Sequence, residues 1–154
     1  MTRLELITKK LGSNVSNINI SNPNVSNSTV GWQIEHALIT INLILDALKN
    51  SDPNTYKKKF NLNRAIIFTL NKIPRGRAKA PKVVQPTNTI TKESIEKQLS
   101  IAFQNFIDIK NLDKNCNFQH PYFKLLNVKQ TIKFLEIHTN HHLQIVNDIV
   151  KGNK

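Results

Sequence analysis

The most regular pattern of hydrophobic and polar positions lies in residues 127–151. Asn127 is a favourable N-cap residue, and Gln130 stands where a capping box needs a glutamine or glutamate. Apolar residues then recur at helical spacing, and neither Gly nor Pro interrupts them before Gly152. The pattern therefore predicts one long amphipathic helix over residues 127–151. Its apolar face consists of Val128, Ile132, Phe134, Leu135, Ile145, Val146 and Ile149.

Two histidines occupy the middle of this apolar face. At about 100° per residue, most of its apolar residues fall within about 80° of His138, and His142 lies about 40° from it, one turn further along. His141 lies nearer the edge of the face. Imidazoles at positions i and i+4 are close enough to share one metal ion. Two hydrogen-bonded core histidines would give the same pattern, so this helix alone leaves both interpretations open.

An earlier stretch carries a third histidine of the same kind. Residues 28–49 are predicted to form a helix that ends before Pro53. Its apolar residues cluster within about 60° of His36, which therefore also lies in the middle of a core-facing stripe. Three such histidines from two helices suggest a site for a divalent metal ion. Imidazole suits Zn²⁺, Ni²⁺, Fe²⁺ and Mn²⁺, so the identity of the metal stays open.

The rest of the pattern favours an all-α protein with a single domain. A helix with Phe60, Ile67, Leu70 and Ile73 as candidate core residues is predicted over residues 54–73. Another helix is predicted from Thr91 onwards, where Thr91 serves as the N-cap. Four helices with one long crossover fit a four-helix bundle, which would comprise residues 28–151. Connections without a helical pattern are predicted over residues 74–86 and 111–126.

The N-terminal part, residues 1–27, is predicted to pack on this bundle. It begins with a short amphipathic helix over residues 2–11. A Ser- and Asn-rich stretch follows over residues 13–30, and its composition predicts an extended surface segment.

Composition and charge narrow the function only partly. The chain has 154 residues and a net charge of +12. It has a single cysteine, so a disulfide framework is excluded. Since no signal-peptide pattern and no long apolar run is present, we expect a cytoplasmic protein with no membrane partner. A basic chain can attract nucleic acid, an anionic membrane surface or an anionic small ligand, or it can simply present a solvated surface. No aromatic residue lies within residues 74–86, so stacking on single-stranded nucleic acid is poorly supported there.

Three motifs resemble those of the DinB-like superfamily. They are WQIEHAL at residues 32–38, HPYFKLLN at 120–127 and FLEIHTNHHLQI at 134–145. They are most similar to a branch that has HPxFG before the last helix and HTxHH within it, and the resemblance covers residues 28–151. Lys124 stands where that branch often has glycine, which is a departure in the loop near His120.

The resemblance implies a four-helix bundle of up-down-down-up topology that often forms homodimers. It also implies a divalent metal ion held by His36, His138 and His142. Members of this superfamily include metal-dependent S-transferases that use low-molecular-weight thiols such as bacillithiol or mycothiol, and others are described only as metal-dependent hydrolases. The expected function is therefore that of a thiol S-transferase or a hydrolase-like enzyme acting on a small electrophile. No transferase or hydrolase residue beyond the ligands is fixed by this pattern.

Other polar residues are weaker candidates for a catalytic or binding role. His120 could carry a proton or form a structural turn, and His141 is better placed to support the ligands than to join them. Glu35 could act as a base, but its angle of about 100° from His36 favours a role between helices or on the surface. An anionic thiol or substrate could be attracted by the basic residues of the connection over 74–86. The connection carries Arg75, Arg77, Lys79 and Lys82, and the first three are the candidates for binding such an anion.

A non-catalytic alternative remains open at this point. In it, the three histidines are core residues of a helical bundle, and the basic surface binds acidic partners or nucleic acid. The centred histidines favour the enzyme with a small-molecule substrate over this alternative.

Overall fold

The computed structural model describes residues 1–76 and 80–152 and is mostly helical. A two-stranded antiparallel sheet accompanies the helices. The helices are α1 (Arg3–Gly12), α2 (Val30–Lys49), α3 (Leu62–Leu70), α4 (Lys92–Asp108) and α5 (Val128–Lys151), and the strands are β1 (Asn117–His120) and β2 (Lys124–Asn127). The sequence-based prediction of a largely all-α protein is therefore confirmed, with the small sheet as an addition.

The predicted helix starts and caps are confirmed for the longest helices. The Asn127 side chain accepts a hydrogen bond from Gln130 N, and the Gln130 side chain accepts one from Asn127 N, which completes the capping box of α5. Thr29 caps α2 by accepting from Trp32 N, and Thr91 caps α4. These side chains satisfy backbone N–H groups that have no partner within the helix.

The core lies between α1, α2, α4 and α5. Helix α2 packs against both α4 and α5, and α1 packs against the same two helices. Fully buried aliphatic side chains from all four helices meet there, including Leu11, Leu38, Ile95 and Leu135. The N-terminal helix is thus a structural part of the core, because its burial of leucine removes apolar surface from water.

The prediction of a long core helix over residues 54–73 is wrong. That stretch begins with a 3₁₀ turn over Pro53–Thr55, and α3 covers only Leu62–Leu70. Asn61 caps its start, and Asn71 ends it in the left-handed conformation with φ of 51°. No α3 residue is buried, so this helix lies outside the core against α5.

The predicted irregular connection over residues 111–126 also differs from the structure. It contains most of a β-hairpin in which Asn117 pairs with Asn127 and His120 pairs with Lys124. Lys124 adopts a φ of 62°, in the left-handed region that favours glycine. A residue with a side chain adopts this conformation at a cost of about 1–2 kcal/mol.

The segment between α1 and α2 lies against the start of α2. Val30 N donates to Ile20 O and Gly31 N donates to Ile18 O, both at 2.9 Å. A Cβ atom at Gly31 would lie only 3.0 Å from Ile18 O, so the absence of a side chain allows this close approach. These bonds fix the first turn of α2, which leads directly to His36.

Within the described part of the chain, none of the helices combines the length and the apolar character required to cross a bilayer.

Candidate metal centre

The structure brings His36, His138 and His142 together between α2 and α5. Each ring offers one nitrogen, and these three atoms lie within 4.8 Å of one another. The centroid of the His36 ring is 5.2 Å from that of His138 and 4.7 Å from that of His142. The packing of α2 against α5 therefore unites two predicted core stripes into one cluster of imidazoles.

The Nδ1 atoms of two rings are held by oxygen acceptors. His36 Nδ1 lies 2.8 Å from Val84 O, and His142 Nδ1 lies 2.7 Å from the Gln33 side-chain oxygen Oε1. Because a carbonyl oxygen only accepts, each Nδ1 carries the proton, and in the neutral ring Nε2 keeps a free lone pair. Metal-ligating histidines are commonly oriented in this way by an acceptor at the other ring nitrogen.

A second bond fixes the Gln33 amide. Its Nε2 donates to Ser26 Oγ at 3.1 Å, which leaves Oε1 directed to His142. The same Ser26 hydroxyl oxygen accepts from Ser28 N at 3.1 Å. The segment before α2 thereby determines the orientation of a histidine on α5.

His138 completes the donor set in a different way. Its Nε2 lies 3.3 Å from His142 Nε2, and its Nδ1 is buried without a hydrogen-bond partner among the described residues. If His138 Nε2 carries the proton, it can donate to His142, but a buried acceptor at Nδ1 is left unsatisfied. If Nδ1 carries the proton, two lone pairs face each other. A cation between the two Nε2 atoms would relieve the second arrangement, so the residues fit a metal ion.

Burial keeps these imidazoles neutral. Desolvation lowers the pKa of His138 and His142 well below the ordinary value, and the charges of neighbouring histidines lower it further. Desolvation also lowers the pKa of His36, although its bond to the Val84 carbonyl acts in the opposite direction. Since a histidine ligand must be unprotonated, the environment favours the form that binds metal.

Aromatic side chains enclose part of the cluster. The Trp32 ring stacks on His36 at a centroid distance of 4.9 Å, and Phe134 lies 5.5 Å from His138. Such apolar walls limit the access of water and lower the local dielectric, which strengthens contacts between a cation and its ligands.

His120 belongs to the β-hairpin. Its Nδ1 accepts from the backbone N–H groups of Tyr122 and Phe123 at 3.1 and 3.2 Å. Its ring stacks on Phe123 and contacts the edge of Phe134. Burial lowers the pKa of His120 to about 4. In this position the imidazole stabilises the turn between β1 and β2.

His141 and Glu35 lie beside the cluster rather than in it. The His141 ring contacts His142 at a centroid distance of 5.1 Å, but within the described residues it is not among the three converging ligands. Burial lowers the pKa of His141, and the charge of Arg75 lowers it further. Glu35 points to α4, where its carboxylate accepts a hydrogen bond from Ser94 Oγ at 3.0 Å.

The three basic candidates for an anionic ligand are only partly described. Arg75 forms an exposed ion pair with Asp148 of α5 at 2.8 Å, which partly neutralises it. Arg77 and Lys79 lie outside the described residues.

Sequence reasoning missed the groups that orient the ligands. Gln33 shares the face of α2 with His36, so its position on the stripe was a usable signal for a polar residue near the site. The Val84 carbonyl gave no signal, because a backbone acceptor has no characteristic residue type and lies 48 residues from His36 in the chain.

No protein-family model matches this chain, and neither a curated protein nor a solved structure is significantly similar to it.

Proposed function

We propose that His36, His138 and His142 hold one divalent metal ion and that the protein is a metal-dependent enzyme. The observation that carries the proposal is the convergence of three ring nitrogens, of which two belong to rings anchored through Nδ1. Without a metal, the His138 tautomer with the proton on Nδ1 would leave the Nε2 lone pairs of His138 and His142 facing each other at 3.3 Å.

The reaction class follows from the ligand number and from the resemblance to the DinB-like superfamily. A divalent ion with three protein ligands keeps room for one more, and it supplies Lewis acidity that lowers the pKa of a thiol or of water. We therefore favour a thiol S-transferase that uses a low-molecular-weight thiol as cosubstrate, or a hydrolase-like enzyme, acting in either case on a small electrophile. Zn²⁺, Ni²⁺, Fe²⁺ and Mn²⁺ are all compatible with imidazole ligands.

The protein's own residues would supply positioning. Gln33 and the Val84 carbonyl hold two imidazoles in the tautomer that exposes Nε2, and Trp32 covers the His36 ring. The up-down-down-up topology and a homodimer belong to the same proposal, since the resemblance supports them, and we propose a cytoplasmic location with them.

The proposal is tested by the metal content of untagged protein purified without chelator. Inductively coupled plasma mass spectrometry should find about one divalent ion per wild-type chain, bound as in a single three-ligand site. His142→Ala should lose the ion, because two ligands remain. His141→Ala is the matched control, since it removes a neighbouring imidazole that is not one of the converging ligands, and it should keep the ion.

Circular dichroism of each variant ensures that a lost ion does not reflect a lost fold. Wild-type protein that takes up neither Zn²⁺, Ni²⁺ nor Mn²⁺ would overturn the metal site. If the ion is present, thiols are screened with electrophilic substrates, and turnover should vanish in His142→Ala but persist in His141→Ala. Equal turnover in both variants would contradict a role of the metal in the reaction.

The non-catalytic alternative is supported by the charge of +12. It predicts binding of acidic partners or nucleic acid that weakens steeply with salt and does not change in His142→Ala.

A further inference from the structure

The excess of positive charge is concentrated in one stretch of the chain, residues 53–92. This basic segment contains ten of the 22 Lys and Arg residues and none of the 10 Asp and Glu residues. The remainder of the chain therefore has 12 basic and 10 acidic residues and is nearly neutral. The charge is a property of one region rather than of the overall composition.

The basic segment also exposes a row of apolar side chains on α3. Leu62, Ile66 and Leu70 are 62%, 46% and 66% exposed, and Phe60, just before the helix, is 82% exposed. Leu62, Ile66 and Leu70 are spaced four residues apart, so they form one stripe about 12 Å long. We call these four residues the α3 face.

The orientation of α3 is fixed from its other side. Ile67 and Phe68 pack against the core, and Phe68 contacts the edge of the Phe123 ring. The Arg64 guanidinium donates to the carbonyl oxygens of Phe123 and Leu125, both at 3.3 Å. These contacts anchor the opposite side of α3, so the α3 face is held in an outward orientation.

The basic residues that flank the α3 face in the chain indicate the kind of partner that would bind this face. Lys57, Lys58 and Lys59 precede the face and Lys72 follows it, and all four are exposed. Helices that lie in a membrane interface combine an exposed apolar face with Lys and Arg beside it. The basic residues approach anionic headgroups while the apolar side chains enter the boundary between headgroups and acyl chains.

We propose that the α3 face, together with the exposed Lys57, Lys58, Lys59 and Lys72 that flank it in the chain, docks on the surface of an anionic phospholipid bilayer. A second copy of this chain is a poorer partner, since a symmetric contact would bring two basic segments together. Nucleic acid would satisfy the lysines but would leave the aliphatic stripe in water. This proposal replaces the expectation of no membrane partner, because surface docking requires no spanning helix. It is independent of the metal site.

The proposal is tested by sedimentation of the full chain with vesicles. Wild-type protein should bind vesicles made of equal parts of phosphatidylcholine and phosphatidylglycerol, and it should bind phosphatidylcholine vesicles at least about tenfold more weakly. Raising the salt concentration should weaken binding to the anionic vesicles, because screening reduces the attraction of the lysines. Equal binding to both kinds of vesicle would overturn the proposal.

Variants separate the apolar and the electrostatic contributions. The double variant Leu62→Ser/Leu70→Ser should lower binding to anionic vesicles about tenfold or more, because exposed leucines contribute by entering the interface. Ile107→Ser is the control for it, since Ile107 is an apolar residue of α4 that is 58% exposed. The triple variant Lys57→Gln/Lys58→Gln/Lys59→Gln should reduce binding more than Lys9→Gln/Lys10→Gln/Lys110→Gln does.

A spectroscopic measurement tests insertion directly. Tryptophan fluorescence of Phe60→Trp should shift to shorter wavelength when anionic vesicles are added, whereas wild-type protein, which has only Trp32, should not show the shift. Unchanged vesicle binding by Leu62→Ser/Leu70→Ser would overturn the proposal. The proposal would also be overturned if the wild type bound no vesicles and formed a dimer that became a monomer in Leu62→Ser/Leu70→Ser. The α3 face would then join two copies of the chain. Retained binding of duplex DNA together with absent vesicle binding would overturn it in favour of nucleic acid.

Discussion

Helix α5 carries polar side chains on the side that faces the core, whereas helix α3 carries apolar side chains on the side that faces solvent. Helix α5 places the buried His142 and the half-buried His138 in the middle of its core-facing stripe, where leucine or isoleucine would avoid any polar cost. Helix α3 does the reverse, since it exposes leucine and isoleucine while Ile67 and Phe68 alone face the core. Both helices are anchored, so neither arrangement results from a loose segment.

The contrast identifies residues whose positions are not explained by the stability of the fold. A fold selected only for stability would bury the leucines of α3 and replace the histidines of α5. Departures of this kind are expected where a residue is required for binding rather than for packing. The histidines of α5 fit the proposed metal ion, whereas the exposed leucines of α3 fit the proposed contact with a bilayer surface.

Truncating one leucine in each helix should show the largest difference between α5 and α3. Leu135→Ala should lower the free energy of unfolding by about 2–5 kcal/mol, because Leu135 of α5 is fully buried and its loss leaves a cavity. Leu70→Ala should change it by less than about 0.5 kcal/mol, since Leu70 is mostly in water. Urea denaturation measures both. Similar losses in the two variants would show that α3, like α5, is buried in solution.

A second test concerns the buried histidine of the hairpin. The pKa of His120 is lowered from 6.5 to about 4, so the unfolded chain takes up a proton in this pH range while the folded protein does not. Stability is therefore complete above pH 6.5 and decreases as the pH falls towards 4, by about 3 kcal/mol.

The His120→Asn variant isolates this effect. Its side-chain oxygen can accept from the same backbone N–H groups as His120 Nδ1, but it does not titrate. The difference in unfolding free energy between wild type and variant should shrink or reverse between pH 6.5 and 4. A difference that stays constant over this range would contradict the lowered pKa.

The smallest expected effect comes from the residue that orients a ligand. Gln33→Leu should weaken metal binding about 10- to 100-fold, because His142 loses the acceptor at Nδ1. Gln33→Glu keeps an acceptor and should bind metal nearly as well as the wild type. Affinity is measured by competition with a chromophoric chelator.

Thr40→Val serves as the control for general damage to α2. Thr40 is buried in the same helix, but its hydroxyl donates to the His36 carbonyl and not to a ring. An equal loss of affinity in Thr40→Val and Gln33→Leu would mean that the Gln33 bond has no specific role.

The long helices could be predicted because their signals are local. In α5, the cap at Asn127 and the helical spacing of apolar residues lie within one continuous stretch, and the predicted bounds agree closely with the structure. The angular position of His36 on α2 followed in the same way. Their convergence required only that two core-facing stripes meet, which is the ordinary outcome of helix packing.

The errors arose where short-range signals compete. Residues 54–73 contain apolar residues at helical spacing, yet Asn61 starts a shorter helix and the stripe that looked like core is largely exposed. The strands of the hairpin are four residues each, too short for alternation to be distinguished from a loop. The bond between Gln33 and His142 joins residues 109 apart in the chain, which no local pattern can indicate.

That separation has a consequence for biosynthesis. The ribosome completes α2, with His36 and Gln33, long before it reaches His138 and His142. A nascent chain therefore presents only one of the three converging imidazoles and could not hold a metal ion between them until α5 has emerged and docked. Metal acquisition would be a late event in the maturation of the protein, and fragments truncated before α5 should leave the tunnel as metal-free chains with an incomplete core.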